Sequence, residues 1–188
     1  MTSYLLAGPA AEPVSLAEAK AFLKVDGGAE DALITTLIGA ARLHIEGVTG
    51  CALIAQTWRI VLDDWPESRM VKLPVTPLLS VTAIAATDAN GASHDIGLVQ
   101  FSSDNERLFI PRVVVGMPVP QERGGIEIDY VAGFGANPED VPADLRQALL
   151  GLVAHWHEHR DAVLIAGSGA VVPSGFDRMV ARYKRARL

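Results

Sequence analysis

The stretch "VSLAEAKAFLKVDGGAEDALITTLIGAARLHIEGVTGCALIAQTW", residues 14–58, passes from helix to helix to strand, and that passage sets the fold class. Ser15 can cap a helix, and Glu18 three residues later completes a capping box. Gly27-Gly28 is expected to end that helix. A longer one is expected from Glu30 to Thr49, because Leu33, Ile34, Leu37, Ile38, Ala41, Ile45 and Val48 share one broad face at helical spacing. Gly50 suits its C-terminal cap. From Gln56 the period changes: Trp58, Ile60 and Leu62 alternate with Arg59, Val61 and Asp63, which predicts a strand.

Beyond it the chain keeps a strand texture. "LPVTPLLS" is broken by Pro74 and Pro77. "VTAIAATD" predicts a strand, Asn90-Gly91 a turn, and Ile96 to Phe101 a returning strand. "RLFIP" and "GGIEIDYVAG" predict two more. Residues 56–132 therefore read as a β insert. "GFGANPEDVPADL" returns to helix: Pro142 suits a first turn, with Glu139 and Asp140 at its positive end. This third helix is expected to reach about Asp161, followed by a loop and a short basic helix. The whole reads as α+β: a helical body of three main helices plus a short C-terminal helix, with a central antiparallel β insert, all in one domain of residues 1–188.

The third helix carries "HWHEHR", in which His155, Glu158 and His159 spell the H-x-x-E-H pattern of inverted zinc peptidases. His155 and His159 fall one turn apart and could share a metal; Glu158 is offset. A catalytic zinc needs a third protein ligand. No glutamate follows His159, only Asp161 and Asp177. His44 is the remaining recruit, with nothing in the pattern to favour it. The plainer reading puts Leu145, Leu149, Leu152, Trp156 and Val163 on a core face, His159 at its border, and His157 and Glu158 in solvent. No metal or other cofactor is expected. Cys51 reads as a small buried hydrophobe rather than a nucleophile, and Asp63-Asp64 as solvated acids rather than a cation site. "AGSGA" is not a nucleophile elbow, and the chain holds no Walker loop or dinucleotide fingerprint.

Composition narrows the classes further. With 49% hydrophobic and 20% charged residues, the chain should fold. No apolar run is long enough for a membrane span. The N-terminal stretch has no basic region before its apolar patch, so a secretory signal is not expected. Cys51 is the only cysteine, which suits a reducing compartment. Aromatics are 6%, which gives little support to a stacking platform for single-stranded nucleic acid. Charge is uneven: the chain carries −6, yet residues 174–188 carry +4, leaving −10 on the first 173. A basic tail on an acidic body reads either as a solvated helix end or as a peg for a partner.

Residues 14–58 resemble the start of the phage head–tail connector proteins, the adaptor or head-completion proteins of long-tailed phages and gene transfer agents. The shared pattern is the capped "SLAEAK" helix, an acidic turn, a long helix ending in "TG", and "QTW". "VPADLRQALLGLVAHWHEHRDAV" and "VPSGFDRMVARYKRARL" are similar to that family's C-terminal half. The matched parts cover about half the chain, at both ends and in order. The resemblance implies a non-enzymatic structural protein of the virion or a phage-like particle, made in the host cytoplasm and placed at the head–tail junction. It implies a homo-oligomeric ring, expected to match the twelve-fold portal, and a lumen through which genomic DNA passes without sequence-specific binding. The implied partners are the portal protein and the next tail-side connector or stopper. In that family the "AHWHEHR" position is helix core.

Candidate contact residues follow. Beside its core stripe the second helix carries Thr36, Gly39, Ala40, Leu43 and Gly47. Each glycine costs the helix about 1 kcal/mol relative to alanine, and small residues around a leucine suit the close approach of a neighbouring subunit. The expected subunit interface is therefore Thr36, Gly39, Leu43 and Gly47. The docking segment, 174–188, has an apolar stripe flanked by cations: Phe176, Arg178, Met179, Arg182, Tyr183, Lys184, Arg185, Arg187 and Leu188. It is expected to stay movable until a portal orders it. Two other functions compete: a metal-dependent hydrolase using the H-x-x-E-H residues, and a nucleic-acid-binding module using the basic tail.

Overall fold

The computed structural model describes residues 1–159 and 172–184, which form two compact units. The first joins residues 1–10 to 55–134 and is built of strands; the second joins 11–54 to 135–188 and is built of helices. The architecture is α+β, and the β segment is inserted between helices.

The β unit holds eight strands. They are β1 Thr2–Ala7, β2 Gln56–Leu62, β3 Met70–Lys72, β4 Leu78–Thr87, β5 Ser93–Asp95, β6 Ser102–Ser103, β7 Arg107–Phe109 and β8 Ile126–Ala132. The larger sheet runs β1-β2-β8-β4-β5 and the smaller β3-β7-β6, with every pairing antiparallel. Period-two patterning decides the register. Ile60, Leu62, Ile126, Ile128, Tyr130, Ile84 and Ala86 are buried on one face, and Ile60↔Ile128↔Ile84 forms a row across three strands. On the opposite face Arg59 reaches Asp129 through two bonds of 2.6 and 2.7 Å and Glu127 at 2.6 Å. Asp129's hydrogen bonds, ahead of the burial cost, hold that guanidinium even more firmly charged than usual. Gly125 precedes β8 where a Cβ would lie 2.7 Å from the Gln121 carbonyl, so only glycine fits without a shift.

Three sequence expectations change here. β1 was not foreseen, since "TSYLLA" does not alternate cleanly; it forms because β2 offers it a ladder. The returning strand is Ser93–Asp95, and Leu98–Gln100 is a helical turn instead. β4 begins at Leu78, directly after Pro77, and so reaches three residues further back than the strand expected from "VTAIAATD".

The helical unit holds α1 Leu16–Leu23, α2 Asp31–Thr49, α3 Ala143–Glu158 and α4 Phe176–Val180. The Ser15–Glu18 capping box forms, with Ser15 Oγ accepting from the Glu18 N–H at 3.2 Å and the Ser15 N–H donating to Glu18 at 2.9 Å. That backbone bond is the main reason the Glu18 carboxyl titrates below its ordinary value, with Ser15 Oγ and Arg146 adding to it. Lys24 in the left-handed conformation, not Gly27, ends α1. Gly50, at φ +74°, caps α2 as expected. Its buried face is Ile34, Ile38, Ala41, Ile45 and Thr49; Val48 is exposed, and Thr49 is accommodated because its hydroxyl donates to the Ile45 carbonyl at 2.7 Å. α3 buries Leu145, Ala148, Leu149, Leu152, Val153 and Trp156, and it packs on α1, α2 and α4. Glu139 and Asp140 belong to a separate turn before α3, and α3 itself stops at Glu158. Asp161, Val163 and the loop to Val171 lie outside the described residues. No described helix is long and apolar enough to cross a membrane.

Candidate functional site

α2 presents two faces. Its inner one carries the core, and Arg42 at the edge is clamped between Glu12 (2.8 Å) and Glu46 (3.0 Å). Glu46 also accepts the Leu53 N–H at 2.9 Å, which ties the helix to the chain leaving it. On the outer face Thr36, Ala40, Leu43, Gly47 and Val48 are exposed, with Leu43 at 61%. Gly47 has open space where a Cβ would stand, and Gly39 meets only Glu12 at 3.8 Å. The glycines are therefore not demanded by packing within the subunit. The four expected interface residues lie on one helix, with Gly39 at the margin and half-buried.

The histidine run takes a structural form. His155 and His159 stack with ring centroids 4.5 Å apart, and His159 Nδ1 lies 2.9 Å from the His155 carbonyl. His159 is exposed at the helix end, not at the border of the core. His44 sits against Trp156 (5.8 Å, edge-on) and Phe176 (5.4 Å), so it serves as an aromatic spacer. His157 is not solvated as its helical phase predicts: its Nε2 lies 2.9 Å from Glu30 Oε2, and only 15% of its side chain is exposed. Glu158 is exposed. Among the described residues no three possible ligands converge on one point. Cys51 is buried, with its sulfur 3.8 Å from the Tyr183 carbonyl.

The tail divides in two. Phe176, 1% exposed, and Val180 are core residues of the helical unit, and α4 packs on α3. The Tyr183 hydroxyl donates to Asp144 at 2.8 Å and accepts from Arg182 at 2.5 Å; burial, the largest cause, raises its pKa. Arg182 also pairs with Asp144 at 2.7 Å, and Lys184 with Asp177 at 2.7 Å. The expectation of a segment held loose for a partner therefore fails for Phe176 to Lys184. Its apolar stripe is already spent on its own unit, where Phe176 meets the His44 ring. Arg178 and Arg182 remain exposed, Met179 is half-buried, and Arg185, Arg187 and Leu188 lie outside the described residues. The sequence held a sign of this, since a Phe176/Val180 pair at i, i+4 is a core spacing as much as a docking one.

Among curated proteins no sequence match is found. Among solved structures, a chain in the neck of an empty GTA particle, computed with C6 symmetry, is 30% identical with a TM-score of 0.79. A chain in the virion of a native gene transfer agent (GTA) particle is 28% identical with a TM-score of 0.82. A chain in the neck of a native GTA particle, computed with C12 symmetry, is 27% identical with a TM-score of 0.79. Each alignment covers 100% of this chain and 97% of the other. The model of the head completion protein family matches residues 12–170, which span both helical segments and the β insert. The chain therefore belongs to the head completion protein family.

Proposed function

We propose that this protein is a structural head–tail connector, a ring in the neck of a phage or phage-like particle that joins the capsid to the tail. The observation that carries the reading is the end-to-end likeness to neck chains of gene transfer agent particles, at up to 30% identity. The role is architectural. Subunits repeat around the particle axis, and their lumen forms part of the path of the genome. The acidic body, −10 over the first 173 residues, favours such a lumen because it repels phosphate.

The ring neighbour meets the outer face of α2 at Thr36, Ala40, Leu43 and Gly47, where a leucine stands exposed among small residues. The portal is met by the cationic end of the chain, with Arg178 and Arg182 exposed beside the rooted Phe176. A tail-side stopper is the further partner in this reading. Catalysis by the H-x-x-E-H residues plays no part in this role. The test is complementation: particles made without this protein should accumulate as filled heads without tails, and adding the purified protein should restore joining. The His155→Ala/His159→Ala variant should restore it equally well. Joining that fails only in that variant, with the fold intact, would revive the hydrolase reading.

A further inference from the structure

Among the described residues the large sheet has two open edges, and they differ from the edge strands β3 and β5. β1 has β2 on one side and, among the described residues, no strand on the other. β4 is covered by β5 only at Ala85, Ala86 and Thr87, and at its start the Leu78 N–H donates to the Asn105 carbonyl at 2.7 Å, so residues 79–83 have β8 on one side and no strand on the other among the described residues. Both edges are exposed and apolar: Tyr4, Leu5 and Leu6 on β1, and Leu79 on β4 at 47%. An open edge is a template for pairing, and natural proteins guard such edges with charges or proline. β5 carries His94 and Asp95, and β3 carries Lys72. "TSYLLA" and "LSVTA" carry neither charge nor proline.

We infer that β1 of one subunit pairs with residues 79–83 of the next, so that the sheets of neighbouring subunits join edge to edge around the ring. The inference rests on the ring reading above. A cyclic assembly uses a heterologous contact, in which two different surfaces of one chain meet; the two ends of one sheet supply such a pair. Strand direction agrees. From β1 through β2 and β8 to β4 there are three antiparallel steps, so β1 and β4 run in opposite senses. A copy set beside the first by a modest rotation therefore brings its β1 antiparallel to β4, and the alternation continues unbroken. Both edges also carry bulges, between Leu5 and Ala7 on β1 and at two places on β4. Bulges bend a strand, and a sheet that closes on itself must bend.

The test is cysteine crosslinking of the full chain in assembled particles. Cysteines at Leu5 or Leu6 are combined with cysteines at Ser80 or Thr82, and native Cys51 stays buried. At least one double variant should give a ladder of covalent oligomers on a denaturing gel, and no single variant should crosslink. A dimer from Leu6→Cys alone would mean that β1 pairs with itself, which overturns the inference. Rings seen by electron microscopy with no crosslink from any pair would overturn it while leaving the ring reading intact. Particles that incorporate the protein without any ring would sink the ring reading itself.

Discussion

Trp156 and His157 are adjacent yet perform different work. Trp156 is 7% exposed and meets His44 edge-on, so truncation to alanine should cost about 3–5 kcal/mol in a urea melt. His157 lies beside Glu30, and His157→Ala should cost about 1 kcal/mol, the scale of one net hydrogen bond. A neutral result would mean that solvent screens the pair. Helical phase alone made Trp156 legible and hid His157, because phase gives a direction and not what stands there. Glu30 lies 127 positions away in the chain. No local pattern announces such a meeting.

At the level of single elements, α1 depends on its cap. Glu18 has a lowered pKa in the folded chain, so its contribution is present above the ordinary carboxylate value and lost as pH falls through the lowered one. Glu18→Gln should therefore destabilise by about 1 kcal/mol or less at neutral pH, and the difference from wild type should vanish in strong acid. Equal differences at both extremes would mean that the ionised form adds nothing. The capping box was legible because its signal lies within four residues. β1 was not, because an edge strand owes its existence to a neighbour more than fifty residues away. α4 is the opposite case: its amphipathic stripe was clear, and the stripe packs on its own unit. Removing the chain from Ser174 should accordingly destabilise the helical unit, and Phe176→Ala alone should cost about 3–5 kcal/mol. A truncated protein that melts like wild type would mean that α4 is not anchored.

For the whole molecule, α2 provides the sharpest test. Leu43 is exposed in the subunit, so Leu43→Glu should leave its melting unchanged. If the outer face of α2 meets a ring neighbour as proposed, the carboxylate would be buried without a partner, and joining of heads to tails should fail. Normal joining would remove the outer face of α2 from the interface. Both the helical body and the strand insert could be read from residue spacing, but residue spacing does not mark the surfaces that make an assembly. An interface residue is one that the subunit itself does not need, and periodicity registers only what the subunit needs.

The rooting of α4 has a mechanical consequence. A loose peg passes tension only to the covalent chain that tethers it. With Phe176 beside His44, and Tyr183 and Arg182 both bonded to Asp144, a pull on the basic end is shared with α2 and α3. Load applied there is spread through a packed core, which resists as a solid does. If the basic end is the contact proposed above, the joint between head and tail gains by having its hook and its beam made as one piece.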